Sequence, residues 1–328
     1  MDPSTYKSHT TRRGLTWKYH FSPPSAGKPT LVLLHGFPSS AQDWTHQVAH
    51  FSAQGAGLLV PDMLGHGASD KPTDAALYTG SGLAGDVVEL MDKEGVKEAV
   101  LVGHDWGCRV ASRLLNLHAD RVAGVAFLGA SYVPPDANFD PQAANEFIKG
   151  AFGRELLGYF EFLSAPGTDK LIEQNIDSFL GLFFPNPPEL WIEHVGPSGA
   201  ARAWVESNRQ SAAPAYFCDQ VRAHYKTTLL AGGLAAPLCY YTVNALGLNS
   251  KDDALVPASA YEITKPVFFA AANKDFVALP QIGDFVLQKY AKGPLTRREF
   301  DADHWIMMSH SPELNKALDE WLVEQKFA

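Results

Sequence analysis

Short apolar runs closed by turn residues recur through the first 130 residues of the chain. Runs of this length, bounded by glycine, proline or polar residues, are typical of strands that are buried on both faces of a parallel sheet. A looser alternation over residues 15–21 predicts an edge strand. Buried strands are predicted over residues 30–34, 57–60, 99–102 and 122–128.

Helical patterns separate these runs, over residues 83–94 and 108–117. Strands that alternate with helices imply crossover connections between parallel strands. The sequence therefore predicts an α/β fold, with a mostly parallel sheet flanked by helices.

The pattern changes after Ser131 and changes back more than a hundred residues later. The intervening chain lacks strand-like runs and is helical and aromatic, with helices predicted over residues 147–152, 171–184 and 204–211 and a proline-rich break at 185–188. Strand patterns return at 266–272 and 296–300, and a last helix is predicted over 311–327. We expect an α/β core of residues 1–132 and 247–328, with a helical cap domain, residues 133–246, inserted into it.

The composition fits a globular protein. Of the 328 residues, 46% are apolar and 19% are charged, and the net charge of −9 argues against binding to nucleic acid or to an anionic membrane. The three cysteines form no Cys-x-x-Cys pair, so neither a disulfide framework nor a cysteine-bound zinc is expected. No signal-peptide pattern and no run of about 18 apolar residues is found, which predicts a cytoplasmic protein without a membrane span. No cluster of histidines and carboxylates has ligand spacing, so no metal and no cofactor is expected.

The strongest local motif is Gly103-His-Asp-Trp-Gly107, between a predicted buried strand and a helix. A sharp strand-to-helix turn needs small residues on both sides of its apex, and the apex side chain then stands at the carboxyl end of the sheet. The apex is Asp105, whose carboxylate can attack carbon and form an ester. An ordinary glycine-flanked turn with a helix-capping aspartate would also explain these five residues.

Two further residues follow later strands and could complete a catalytic set. His304 lies after the last predicted strand, where a histidine is placed for general-base work, although a solvated loop histidine would look the same. Asp275 follows the strand at 266–272 and could orient the base, or could cap the next turn. The chain order of nucleophile, acid and base is that of α/β-hydrolases.

The loop His35-Gly-Phe-Pro38 follows another predicted buried strand. In such folds an oxyanion is bound by the amide after the nucleophile and by an amide of this early loop. The backbone N–H groups of Trp106 and Phe37 are the predicted donors, with His35 and Pro38 shaping the substrate-binding loop. A plain Gly-Pro turn is the alternative.

These motifs, together with the segments 61–72, 273–275 and 303–305, resemble the epoxide hydrolase branch of the α/β-hydrolase superfamily over nearly the whole chain. The resemblance implies that Asp105 is the nucleophile, Asp275 the acid and His304 the base that activates water. It also implies that two lid tyrosines bind the epoxide oxygen and donate a proton. The first corresponds to Tyr159 and the second to Tyr241, with the adjacent Tyr240 as the alternative for the second position.

The resemblance implies an enzyme that adds water to an apolar small-molecule epoxide and gives a vicinal diol without a cofactor; whether it dimerises stays open. A haloalkane or haloacid dehalogenase would use the same Asp105 and His304, and Trp106 could help to bind its halide. The loop sequence His-Gly-Phe-Pro, rather than His-Gly-Asn, favours the epoxide. A ligand receptor built on a hydrolase scaffold is a third hypothesis, but it would be expected to lack a triad residue.

Overall fold

The computed structural model describes residues 2–327 and forms one eight-stranded sheet within them. The strands are β1 (Lys7–Thr10), β2 (Thr16–Ser22), β3 (Thr30–Leu34), β4 (Gly57–Pro61), β5 (Ala99–His104), β6 (Val122–Leu128), β7 (Val267–Ala272) and β8 (Leu295–Phe300). Their order across the sheet is β1-β2-β4-β3-β5-β6-β7-β8. Strand β2 pairs antiparallel with β1 and β4, and all other neighbours are parallel.

The central strands β3, β4 and β5 are buried at every position. Helices cover both faces of a parallel sheet, so each side chain of a central strand meets a packed layer. This explains the continuous apolar runs in the sequence and confirms the α/β prediction. The edge strand β1 was not predicted, because its residues Lys-Ser-His-Thr are polar and partly or fully exposed.

The described residues also form fifteen α-helices. They are α1 (Thr45–Ala53), α2 (Gly80–Lys93), α3 (Trp106–Leu117), α4 (Pro141–Phe152), α5 (Gly158–Ser164), α6 (Thr168–Gln174), α7 (Ile176–Phe183), α8 (Leu190–His194), α9 (Ala200–Glu206), α10 (Asp219–Gly232), α11 (Cys239–Ala245), α12 (Leu248–Asp253), α13 (Pro280–Tyr290), α14 (Ile306–Ser309) and α15 (Ser311–Glu324). Helix α3 packs against β3, β5 and β6, so the turn that precedes it is fixed to the centre of the sheet.

Helices α4 to α12 lie between β6 and β7 in the chain, as the change of pattern after Ser131 predicts. Two of the predicted helices differ from the structure. The segment 171–184 is broken at Asn175, whose backbone leaves the helical region (φ −123°, ψ 38°) between α6 and α7. The helix predicted over 204–211 is wrong beyond Glu206, because Asn208 has a positive φ of 49°.

Candidate active site

Asp105 sits at the apex of the turn between β5 and α3. Its φ of 53° and ψ of −121° are strained for a residue with a side chain, and strain of this kind is stabilised only by tight surroundings. The two flanking glycines allow the turn. A Cβ atom on Gly107 would lie 2.0 Å from the Leu34 carbonyl oxygen, and one on Gly103 would lie 2.8 Å from the Gly107 oxygen.

The two oxygens of the Asp105 carboxylate have different neighbours. Oδ1 accepts a hydrogen bond from the Phe37 backbone N–H at 2.8 Å, and Oδ2 lies 3.7 Å from Nε2 of His304. Gly36 makes the first contact feasible, since a Cβ atom there would lie 2.1 Å from Oδ1. Burial raises the pKa of Asp105, while the charge of His304 and the amides of Phe37 and Trp106 act to lower it.

His304 and Asp275 form a buried pair behind this carboxylate. Nδ1 of His304 lies 2.6 Å from Oδ2 of Asp275. The other Asp275 oxygen accepts hydrogen bonds from the amides of Val277 and Ala278, at 3.1 and 2.8 Å. Asp275 thus makes both of the contacts that the sequence left as alternatives, a turn cap and a partner for the histidine.

The ionisation of His304 is set by opposing effects. Burial by itself would lower its pKa, but the carboxylates of Asp275, Asp105 and Asp303 raise it to about 9. With a free Asp105 carboxylate beside it, the imidazole is therefore protonated at neutral pH. Loss of one of these negative charges would lower its pKa.

Two residues that sequence reasoning missed also contact the His304 loop. His104, the last residue of β5, lies with its ring centroid 4.6 Å from that of His304 and pairs through Nε2 with the His304 carbonyl oxygen at 2.9 Å. Burial keeps the pKa of His104 well below its usual value, so it is neutral and donates from Nε2. Tyr216 donates to Asp303 at 2.5 Å. Its position next to Asp303 has no signal in the sequence.

Tyr159 and Tyr241 meet above the turn, with ring centroids 5.9 Å apart. The Tyr241 ring also lies 5.2 Å from that of Trp106. Burial and the charge of Asp105 raise the pKa of both phenols well above the usual value, so both stay protonated at neutral pH.

Tyr240 takes a different position from its neighbour Tyr241. Its ring packs 5.3 Å from those of Tyr78 and His66, and its hydroxyl is buried without a hydrogen-bond partner among the described residues. Of the two adjacent tyrosines, Tyr241 is thus the one that lies against Tyr159.

The remaining loop residues act on the backbone. His35 is 1% exposed, accepts from the Met63 amide through Nε2 at 2.9 Å, and donates from Nδ1 to the Gly36 oxygen at 2.8 Å. The Phe37–Pro38 peptide bond is cis. Neither His35 nor Pro38 lines the cavity at Asp105, and the hydrogen bonds of His35 tie the loop that presents the Phe37 amide to Met63.

A cavity of about 340 Å³ opens beside Asp105, His304, Trp106 and Tyr159. One wall is apolar and comes from the chain around the start of α13, with Val277, Ala278, Leu279, Ile282 and Val286. Among residues 2–327, no group of three or more His, Cys, Asp or Glu side chains is arranged so that it could hold a metal ion. None of the helices formed by these residues is long and apolar enough to cross a bilayer.

The chain belongs to the alpha/beta hydrolase fold family, whose pattern residues 29–311 match. It is 30% identical to Epoxide hydrolase B of Mycobacterium tuberculosis over 84% of this chain and 70% of that protein. It is 25% identical to the pig Bifunctional epoxide hydrolase 2 over 93% of this chain, and it spans about half of that longer protein, 53%. The crystal structure of Epoxide Hydrolase A from Mycobacterium thermoresistibile is similar, with a TM-score of 0.78 and 25% identity over 97% of this chain and 98% of that one.

Proposed function

We propose that this protein is an epoxide hydrolase that converts its substrate to a vicinal diol through an ester on Asp105. The observation that carries the proposal is the pairing of Asp105, at a strained apex, with His304 as a base, beside a cavity that Tyr159 also lines. A second protonated phenol, that of Tyr241, packs against the Tyr159 ring. The names of the mycobacterial and pig relatives support the substrate class. We further propose that residues 133–246 form a cap that supplies both phenols.

In the first step, Oδ2 of Asp105 attacks one epoxide carbon and the ring C–O bond breaks. Oδ1 stays on the Phe37 amide and becomes the carbonyl oxygen of the ester. The electron pair of the broken bond goes to the epoxide oxygen, which takes a proton from Tyr159 or Tyr241. Two phenol donors suit an epoxide oxygen, which has two lone pairs.

In the second step, Nε2 of His304 takes a proton from water, and the water oxygen attacks the Asp105 ester carbon. Esterification has by then removed the Asp105 charge, one of the charges that raise the pKa of His304. The imidazolium then returns a proton to the tyrosinate that ring opening left, and the neutral Nε2 becomes the base. The Phe37 and Trp106 amides receive the oxyanion, the bond to Oδ2 breaks, and the imidazolium protonates that oxygen as the diol leaves. The new Asp105 carboxyl group passes its proton to His304, which restores the starting charges.

The halide-releasing alternative differs at the leaving group. A dehalogenase must bind a departing anion and has no need of a proton donor for it, whereas two protonated phenols beside Asp105 can donate to an oxygen. Release of chloride from chloroalkanes at the rate of epoxide turnover would reverse this order of preference.

A panel of aryl, alkyl and fatty epoxides, with chloroalkane controls, tests the activity. For an epoxide that turns over, a single turnover in ¹⁸O-water should place the label in Asp105 and leave the first diol unlabelled. Asp105→Ala should abolish turnover, whereas Asp120→Ala, at an exposed position after α3, should retain it. Label that appears first in the diol would mean direct attack by water and would contradict the ester.

A further inference from the structure

Arg109 lies in the first turn of α3, four residues after Asp105, the residue that precedes this helix. Four residues correspond to about one helical turn, a rise of about 6 Å. Both residues line the 340 Å³ cavity. The cavity thus has a carboxylate nucleophile at one point and a guanidinium about one helical turn away from it.

Asp253 does not fully neutralise the Arg109 guanidinium, because the Asp253 carboxylate also binds the guanidinium of Arg113. Oδ1 of Asp253 accepts from Nη2 of Arg109 at 2.9 Å, and from Nε and Nη2 of Arg113 at 3.0 and 2.7 Å. Oδ2 of Asp253 accepts from the Asp136 amide at 3.0 Å. The carboxylate of Asp253 is thus engaged at both oxygens, and two guanidinium charges face one negative charge.

The two arginines differ in how their donors are used. Arg113 is 0% exposed, and its Nη1 donates to Asn116 and to the Val133 carbonyl oxygen. Arg109 is 8% exposed, and among the described residues only its Nη2 makes a hydrogen bond. Its Nε is buried without a partner beside Gly80 of α2, so Nη1 is the donor left for a ligand in the cavity. A buried charged group with unused donors is unfavourable unless a ligand with acceptors completes its contacts.

Other acidic groups near Arg109 do not fill this role. The Asp136 side chain is exposed and accepts from the Asn138 amide at 2.9 Å, and Asp252 binds Ser81. Part of the cavity wall is apolar, and it is formed by Val277, Leu279, Ile282 and their neighbours. A ligand that fits has an acceptor at one end and apolar surface at the other.

We propose that Arg109 binds a carboxylate of the substrate, so that the substrate class is an epoxy acid with an apolar substituent. The ring lies over Asp105, the carboxylate lies on Arg109, and the substituent lies along Val277, Leu279 and Ile282. A planar guanidinium matches the two oxygens of a carboxylate, and its hydrogen bonds to an anion are stronger than those to a neutral acceptor. This substrate assignment rests on the proposed epoxide hydrolase activity.

The test uses three probes that share one skeleton: 3-phenylglycidate, 3-phenylglycidamide and styrene oxide. The deciding quantity is the ratio of kcat/KM for the acid to kcat/KM for the amide, since this ratio cancels any general loss of activity. Wild type should favour the acid, and Arg109→Met should lower the ratio about 10-fold or more, mainly through KM for the acid. Arg109→Lys, which keeps the charge and loses the planar fork, should lie between the two.

Arg113 keeps two bonds to Asp253 in the Arg109→Met variant, so the protein should still fold. Arg12→Met, at a side chain that is 85% exposed, is the control and should keep the wild-type ratio.

Inhibition of the wild-type enzyme gives a second test of the carboxylate site that does not depend on any variant. Cinnamate, the acid without the epoxide oxygen, should inhibit styrene oxide turnover about 10-fold more strongly than cinnamamide.

The outcomes separate the two proposals. Turnover of styrene oxide together with equal kcat/KM for the acid and the amide, or equal inhibition by cinnamate and cinnamamide, would overturn the carboxylate site and leave the epoxide hydrolase proposal intact. A ratio that does not change in Arg109→Met would overturn the role of Arg109. Failure of every epoxide to react, in folded wild type, would instead contradict the proposed function.

Discussion

At the scale of single residues, the two phenols of Tyr159 and Tyr241 have the most specific task. An alkoxide that leaves an epoxide needs a proton, and a donor must keep that proton until the ring opens. Burial and the nearby Asp105 charge raise the pKa of both phenols, so both stay protonated at neutral pH. We infer that the negative charge of the nucleophile also keeps its proton donors protonated.

We predict that Tyr159→Phe and Tyr241→Phe each slow ring opening, and that the double variant is slower than either. Loss of one donor to a developing oxyanion lowers the rate by about 10²–10³-fold in comparable sites. Tyr240→Phe is the matched control, because the Tyr240 ring packs against Tyr78 and His66 and its hydroxyl should contribute little to the rate. Stopped-flow measurement of the first step would check this. Wild-type rates in both single variants would remove the phenols from the mechanism.

The positions of the proposed nucleophile, base and acid could be predicted from the sequence because each follows a strand of the predicted sheet, and such strands end at one edge. The structure brings Asp105, His304 and Asp275 together there. The tyrosine positions needed the family resemblance, since no local pattern distinguishes them. The ion pair of Arg109 with Asp253 and the contact of Tyr216 with Asp303 could not be predicted. The residues of these two pairs are 144 and 87 positions apart in the sequence, and only the packing of the helices between β6 and β7 brings them together.

At the scale of secondary-structure elements, the contact between β3 and the start of α3 fixes the nucleophile. Gly107 lies in the first turn of α3 and faces the carbonyl oxygens of Leu34 and His35 at the end of β3. The helix can approach the strand this closely only without a side chain at that position. The sequence shows the glycines of this turn, but the close approach becomes visible only in the packed structure.

Gly107→Ala should therefore destabilise the protein and lower activity, because its Cβ atom would overlap backbone that cannot move independently. Gly85→Ala in α2 is the matched control. A Cβ atom there has no other atom within 4 Å, so this helical glycine should be neutral or stabilising by about 0.5–1 kcal/mol. Urea unfolding of both variants measures the difference. Equal stability of Gly107→Ala and wild type would contradict the close packing described for this turn.

At the scale of the whole molecule, hydrogen bonds tie the helices between β6 and β7 to the rest of the protein. Tyr216 donates to Asp303, and the Trp305 indole donates to the Phe183 oxygen at 3.0 Å, on either side of His304. Tyr225 on α10 donates to Asp43 at 2.6 Å. The loop that carries His304 is thus held by the chain between β6 and β7, which also carries Tyr159 and Tyr241.

The Asp43 contact should make stability depend on pH. Burial raises the pKa of Asp43 to about 7, against the hydrogen bond from Tyr225, which lowers it. The unfolded chain then releases this proton at a lower pH than the folded protein, so this group lowers the free energy of unfolding as pH rises from about 4 to 7. Asp43→Asn should gain stability relative to wild type by about 1 kcal/mol or more between pH 5 and pH 8. Urea titrations at both pH values check this, and parallel pH dependences would contradict it.

The central claim is that Asp105 forms an ester which His304 then removes. Asp105 needs no base for its attack, whereas water does, so His304→Gln should form the ester and fail to hydrolyse it. Mass spectrometry of this variant after addition of an epoxide measures the claim directly. We expect a stable mass increase equal to the mass of the whole epoxide, on the peptide that contains Asp105. Normal turnover by His304→Gln, or an adduct on another residue, would contradict it.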